Sequence, residues 1–227
     1  MKEQTGTNGG RGRGAASALP QGHSGGGLGA RDLPPPLTGG PAGAPSLRPA
    51  AARVVIRPAR PDDLEDATLV EKRVWGRMAA TLNELQRRLF ALPEAFLLAE
   101  LQRPGRTPQI VGVTNSILWT RDFPRSYVDY EKLIPSATHN PRGDVLYVAS
   151  VGVDQAIRGR GIGLRLIQEV VEVGRRRHLK LARLIGNQRS RPLYLRAGFQ
   201  PVRPLPRLFR QQRDLMPQPV LMEFPLV

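Results

Sequence analysis

The sequence predicts an α/β fold, a mixed sheet flanked by helices and preceded by a disordered N-terminal tail, and three observations carry that reading. An apolar run, Val145 to Val153, leads into a glycine-rich turn and an amphipathic helical pattern, and a second apolar run, Leu179 to Ile185, follows. A strand-helix-strand unit of this kind favours parallel pairing, because its crossover is far longer than a hairpin turn. Further apolar runs upstream, separated by Arg103-Pro104-Gly105-Arg106, add strands to the same sheet. Residues 1–52 hold 13 of the 24 glycines and 7 of the 22 prolines, with almost no β-branched or aromatic side chain, so nothing there can nucleate a core.

A length of 227 residues accommodates one domain of ordinary size, residues 53–227, behind that tail. The net charge of +15 lies mostly in the domain, since the tail carries five basic residues against Glu3 and Asp32. Such a balance favours polyanionic partners, whether nucleic acid, ribosomes, acidic membranes or phosphorylated cofactors. The Gly-Arg-Gly-Arg-Gly stretch from Gly10 to Gly14 suits nonspecific contact with RNA. With no cysteine, disulfides, thiolate metal sites and a cysteine nucleophile are excluded, and the scattered His23, His139 and His178 imply no metal. No stretch reaches the roughly 20 apolar residues of a membrane span, so a cytoplasmic protein with no membrane partner is expected.

The elements follow in order. Val54-Val55-Ile56 reads as a short strand, and Pro61-Asp62-Asp63-Leu64-Glu65 as a helix start, with proline and acids suited to the first turn. Helical character runs to about Ala91 with a break near Gly76. Glu94 to Leu101 and Gln109 to Trp119 read as strands. Thr120 to Gly143, with three prolines, reads as a long loop, and its Asp122, Asp129 and Glu131 are candidates to receive a cationic substrate. Val145 to Val153 is apolar on both alternating faces apart from Ser150, as in a strand covered on both sides. In the helix after the glycines, Gly163, Leu166, Ile167, Val170, Val171 and Gly174 share one face. A short helix with Ser190 at its N-cap and Gly198 as its stop precedes final strands from Phe199 and over Pro219 to Phe224.

The chemistry starts at Arg158-Gly159-Arg160-Gly161-Ile162-Gly163, between strand and helix. Glycines let the backbone approach phosphate oxygens, and a helix N-terminus adds partial positive charge and free amides. A Rossmann site is the first alternative, but its Gly-x-Gly-x-x-Gly spacing and its acid about 20 residues on are missing. A P-loop is excluded because no Gly-Lys-Ser/Thr occurs.

This segment resembles motif A of the GNAT N-acetyltransferase superfamily, whose pattern Arg/Gln-x-x-Gly-x-Gly/Ala is met by Arg158, Gly161 and Gly163. Ile56 to Leu64 resembles the family's first strand and helix start. Asn187, Ser190 and Tyr194, then Arg196-Ala197-Gly198-Phe199, resemble its Asn-x-x-Ala-x-x-x-Tyr-x-Lys-x-Gly-Phe segment. The likeness covers roughly residues 54–227 and implies the GNAT acyl-CoA N-acyltransferase fold, with a mostly antiparallel sheet. It implies acetyl-CoA as cosubstrate and an amine on a small molecule or peptide as acceptor. By the same likeness, the backbone of Val151, Gly152 and Val153 would hold the pantetheine arm and thioester. Backbone amides from Arg158, Gly159, Arg160, Gly161, Ile162 and Gly163 would hold the pyrophosphate, with side-chain charge from Arg158, Arg160 or Arg165. Asn187, with Ser190 beside it, would bond the pantetheine arm, and Tyr194 would donate a proton to the departing thiolate.

The family proline before the loop is Gln155 here, the frequent aromatic is Ile157, and the strand carries no acid to act as general base. Glu71, Glu131, Asp144 and His139 are the candidate acceptors of the amine proton. Two other classes of function fit the same sequence: a basic RNA- or ribosome-binding protein on a degenerate fold of this type, and a domain that senses acetyl-CoA.

Overall fold

Val54, Val55 and Ile56 lie in β1 (Arg53–Pro58), from which the chain turns through a 3-10 turn at Pro61–Asp63 into α1 (Leu64–Trp75). A computed structural model describes residues 51–125 and 137–227 of the chain. The predicted tail up to residue 50, together with Asp129 and Glu131, lies outside the described residues. Arg57 ties helix to sheet, since its guanidinium donates to both Asp63 oxygens at 2.7 Å and to Glu100 at 2.7 Å. The helix begins three residues after Pro61, with Asp63 of its entry already paired.

Gly76, at φ 54, ends α1 where the break was expected. After a short turn, Thr81 and Glu84 form a reciprocal capping box that opens α2 (Leu82–Ala91). The strand expected from Glu94 starts later, as β2 (Leu97–Gln102), because Pro93 initiates a 3-10 turn over Pro93–Ala95. The remaining elements are β3 (Gln109–Trp119), β4 (Val145–Val153), α3 (Ile162–Arg176), β5 (Leu181–Gly186), α4 (Arg191–Arg196), β6 (Gln200–Pro204) and β7 (Val220–Pro225). Among the described residues no helix is long and apolar enough to cross a membrane.

The seven strands form one sheet in the order β1-β2-β3-β4-β5-β7-β6. Every neighbour pair is antiparallel except β4 with β5, the strands joined through α3. Alternate residues of β2 show the two packed faces. Leu97, Ala99 and Leu101 join Leu166, Ile167 and Val170 of α3, whereas Leu98 and the preceding Phe96 join Val70 of α1 and Leu85 and Leu89 of α2. The two-sided burial of β4 explains why its sequence lacks alternation.

Two irregularities open this sheet. β4 and β5 pair only at Val145 with Leu181, Leu146 with Ala182 and Tyr147 with Arg183, and then part. On its other side β4 follows β3 throughout, but Asn115 faces Ser150 and Ser116 faces Val148, so Ala149 is an extra, bulged residue. A bulge bends its strand and raises local twist. From Val148 onward, β4 thus presents an edge to the gap.

Candidate active site

A cavity of about 680 Å³ occupies one side of the gap, between the end of β4 and the starts of α3 and α4. Val151, Val153, Arg158, Gly159, Gly161, Ile162 and Gly163 line it, as do Asn187 and Ser190. Gly159 and Gly161 have φ of 82 and 74, a left-handed conformation that favours glycine, and a Cβ on either would point into open space. Their glycines answer to backbone shape, and the space beside them is free. The first intrahelical bond of α3 runs from Arg165 N to Gly161 O at 3.1 Å, so the amides just ahead of it have no helical carbonyl to meet.

Four predicted residues behave differently. Gly152 does not line this cavity; a Cβ there would come within 3.3 Å of Val74, so the glycine permits close approach of β4 and α1. Arg160 is exposed and outside the lining, while Arg165 donates to Val54 O at 3.2 Å. Arg158 lines the wall, yet its Nε donates to Val153 O at 2.9 Å, which fixes the guanidinium across the end of β4.

Asn187 is buried and its amide is used within the protein. Its Oδ1 accepts from the amides of Arg189 (2.8 Å) and Ser190 (3.0 Å), and its Nδ2 faces Leu215 O and Met216 Sδ. The side chain shapes the turn into α4 and anchors the β6–β7 connection above the gap. Ser190 stands at the N-cap position without making the expected cap bond. Its hydroxyl turns back to accept from Asn187 N at 2.9 Å.

A second cavity, about 230 Å³, lies on the other side of the gap, against α1 and α2. Tyr194 lines this one, and Trp75 and Val151 line both. Burial pushes the Tyr194 phenol up to about 12, opposed by its hydrogen bond with Ser190. Glu71 is 1% exposed, and burial raises its carboxyl above the ordinary range, opposed by hydrogen bonds from Ser150, Asn115 and Ala80 N and by the charge of Arg88. Arg88, itself buried, is lowered by desolvation and donates from Nη1 to Asn115 Oδ1 at 2.9 Å.

The four candidate proton acceptors are thereby separated. Glu71 lines the smaller cavity. Asp144, just before β4, lies 3.7 Å from Lys180 Nζ and 3.8 Å from Arg121 Nε, and His139 Nδ1 accepts from Leu118 N; neither lines either cavity. Glu131 is outside the described residues.

The Acetyltransferase (GNAT) family pattern matches residues 69–199, more than half of the chain. The chain belongs to the GNAT acetyltransferase family. The match takes in α1 from Leu69 onward, the glycine turn and α4, so both cavities lie largely within GNAT sequence. No curated protein matches the chain.

Solved GNAT structures share the fold. The loading GNATL domain of CurA from Lyngbya majuscula superposes with a TM-score of 0.62 at 16% identity, over 77% of this chain and 98% of that one. The GphF GNAT-like decarboxylase in complex with isobutyryl-CoA gives 0.62 at 20%, over 76% and 100%. The ribosomal-protein-alanine N-acetyltransferase from Brucella melitensis gives 0.52 at 21%, over 75% and 99%. At these identities the likeness concerns the fold.

Sequence reasoning missed several walls of this GNAT site. Trp75 ends α1 and donates from Nε1 to Ser150 Oγ at 3.1 Å. Leu215 and Met216 arrive from a connection far along the chain, as does Phe209. Arg88 was missed although a signal existed, the same one that supports Glu71 as a candidate. Glu71 follows Leu64, Ala67 and Val70 on the buried stripe of α1, and Arg88 sits between the buried Leu85 and Leu89 on α2. A charge on an apolar stripe marks a site.

Proposed function

We propose that the protein is an N-acetyltransferase, moving an acetyl group from acetyl-CoA to a primary amine by direct attack. One observation carries this reading: the larger cavity, with its glycine turn and helix N-terminus, and the smaller cavity, with Glu71 and Tyr194, meet at Trp75 and Val151. Two substrates entering from opposite sides bring nitrogen and thioester together there, which makes the attack effectively intramolecular.

In this reading the free edge of β4 around Val151 and Val153 receives the pantetheine arm and the thioester carbonyl. Amides of the turn from Arg158 to Gly163 take the pyrophosphate. Asn187 and Ser190 contribute by holding the turn into α4, because their own polar groups are largely engaged there. Tyr194, neutral at any ordinary assay pH with its phenol near 12, gives its proton to the leaving sulfur. Direct transfer fits a chain without cysteine.

The test joins two measurements on the full chain. Acetyl-CoA should raise Tm in a concentration-dependent way, and adding primary amines should release CoA thiol. Salt-sensitive RNA binding with no acetyl-CoA shift would establish the nucleic-acid class instead. A shift without thiol release across an amine panel would establish a sensor.

A further inference from the structure

From Leu184 to Arg213 the chain holds seven arginines and no lysine, aspartate or glutamate. Arg189 and Arg196 line the larger cavity and Arg191 opens α4 between them, so these three belong to the donor side. The other four, Arg203, Arg207, Arg210 and Arg213, are exposed and line neither cavity. Elsewhere in the molecule Arg57, Arg73, Arg121, Arg175, Arg177 and Arg183 each meet a carboxylate. Among the described residues none of the four meets a carboxylate or a hydrogen-bond acceptor, and the next acid in the chain, Asp214, is taken by Arg77. Four unpaired like charges within eleven residues repel one another, a cost that an anionic partner removes.

The four stand on a fixed support. β6 is an edge strand of the sheet, exposed at all five positions, and its Arg203 lies opposite Leu221 of β7. Cross-strand neighbours share a face, which puts Arg203 on the side where Leu205 and Leu208 pack with Leu221 and Ile185. Leu205 N donates to Pro219 O at 2.8 Å, and Arg77 Nη2 donates to Gln211 O at 3.3 Å, so the connection carrying Arg207, Arg210 and Arg213 is tied down along its length. Through Phe209 and Met216 the same connection walls the smaller cavity. The basic surface thus adjoins the acceptor side.

Arginine without lysine points to phosphate, which the planar guanidinium grips with two hydrogen bonds. Leu205 and Leu208 are buried, which leaves Val202 as the one large apolar side chain exposed over residues 200–213. The surface therefore lacks the apolar face by which a segment embeds in a membrane, and the apolar centre of a protein interface. Gln200 and Gln211, both exposed, add neutral donors and acceptors that fit a ribose 2′-hydroxyl and base edges.

We propose that Arg203, Arg207, Arg210 and Arg213 form a docking surface for single-stranded RNA, next to the smaller cavity and separate from the donor turn. RNA phosphates supply the anions that the protein withholds from these side chains, and counterions leave the strand as each phosphate is engaged. A single strand adjusts its phosphates to a row that steps from β6 onto the connection, as a rigid duplex does not. The surface is independent of the acetyltransferase reading, since a catalytically silent domain would carry it equally.

The experiment measures binding of a fluorescent single-stranded RNA of about 12 nucleotides to the full chain across a salt series. The wild type is compared with the fourfold variant Arg203→Gln, Arg207→Gln, Arg210→Gln, Arg213→Gln. A control variant carries Arg53→Gln, Arg106→Gln, Arg142→Gln and Arg176→Gln, at exposed arginines outside both cavities, with Arg53 in β1 at the opposite edge of the sheet. At about 0.7 for each single-strand phosphate, the fourfold variant should flatten the slope of log affinity against log salt by about 3 and weaken binding at least about 30-fold near ~0.1 M salt. The control should change the slope by less than about 1, and saturating CoA should leave RNA affinity unchanged. Both variants should keep the wild-type Tm, as exposed substitutions do. Should the fourfold variant lose it, Arg207→Gln with Arg210→Gln is expected to flatten the slope by about 1.4. Absence of RNA binding, equal losses in variant and control, displacement of RNA by CoA, or equally tight binding of polyglutamate or of phosphatidylserine vesicles overturns the proposal. Wild-type protein with no acetyl-CoA shift in Tm overturns the acetyltransferase reading and leaves the RNA surface standing.

Discussion

The two cavities that meet at Trp75 and Val151 are built by different means. The larger one is made from backbone: a strand edge released by the parting of β4 and β5, a turn with two left-handed glycines, and the start of a 15-residue helix. The smaller one is made from side chains that four separate elements bring together, with Glu71, Arg88, Asn115 and Ser150 in one buried network. A backbone cradle suits a donor whose pyrophosphate is recognised by amides alone. A side-chain pocket can be altered one residue at a time, which suits an acceptor. On the acetyltransferase reading, common chemistry belongs to the first and selectivity to the second.

Tyr194 is the sharpest probe of that division, because its ring lines the smaller cavity while its proposed proton goes to the donor's sulfur. Tyr194→Phe keeps the buried ring and removes the hydroxyl that bonds Ser190. The expected result is a fall of about 100-fold in kcat, the lower end of general acid catalysis, with acetyl-CoA affinity nearly unchanged. Steady-state kinetics and titration calorimetry separate the two quantities. Equal losses in both would make Tyr194 a packing residue shared by the cavities and would erase the boundary drawn between them.

Gly161→Val attacks the other side. It forces a β-branched residue into φ 74, costing about 1–2 kcal/mol, and points its methyl groups into the space beside the turn. Acetyl-CoA should bind about tenfold more weakly, measured by calorimetry, and kcat at saturation should hold. A matched loss of kcat would mean that the turn also positions the thioester.

The same division governed what could be read in advance. The glycine turn, the strand before it and the helix after it are contiguous, so their local spacing was enough to place them. Even the sheet's one parallel pair follows from that contiguity. The parting of β4 from β5 has no local signature, and neither does the β6–β7 connection that brings Leu215 and Met216 over the gap. Asn187 shows the limit of motif reading: its position was legible, but the structure spends its amide on Arg189, Ser190 and Leu215. Glu71 was legible only as one of four acids and bases; burial and Ser150 set it apart.

The smallest expected effect tests whether the Glu71 network holds a charge at a cost. Burial raises the carboxyl in the folded state above its unfolded value, so the native protein retains the proton over a pH range in which the unfolded chain has lost it. Where the native state binds more protons, stability falls as pH rises. Its contribution is therefore fully present below the unfolded value, about pH 4, and is lost as pH climbs through the folded one. Glutamine has no proton to lose. Tm of Glu71→Gln minus Tm of the wild type should thus increase with pH from about 4 upward, followed by calorimetry at constant ionic strength. At the acid end the two proteins should lie closest, because a protonated carboxyl and an amide are both neutral. A difference that is flat or falls with pH would mean that Arg88 and the three hydrogen-bond donors offset the whole cost of burial. Glu71 would then be an ordinary carboxylate fixed in the wall, suited to docking an ammonium rather than to taking its proton.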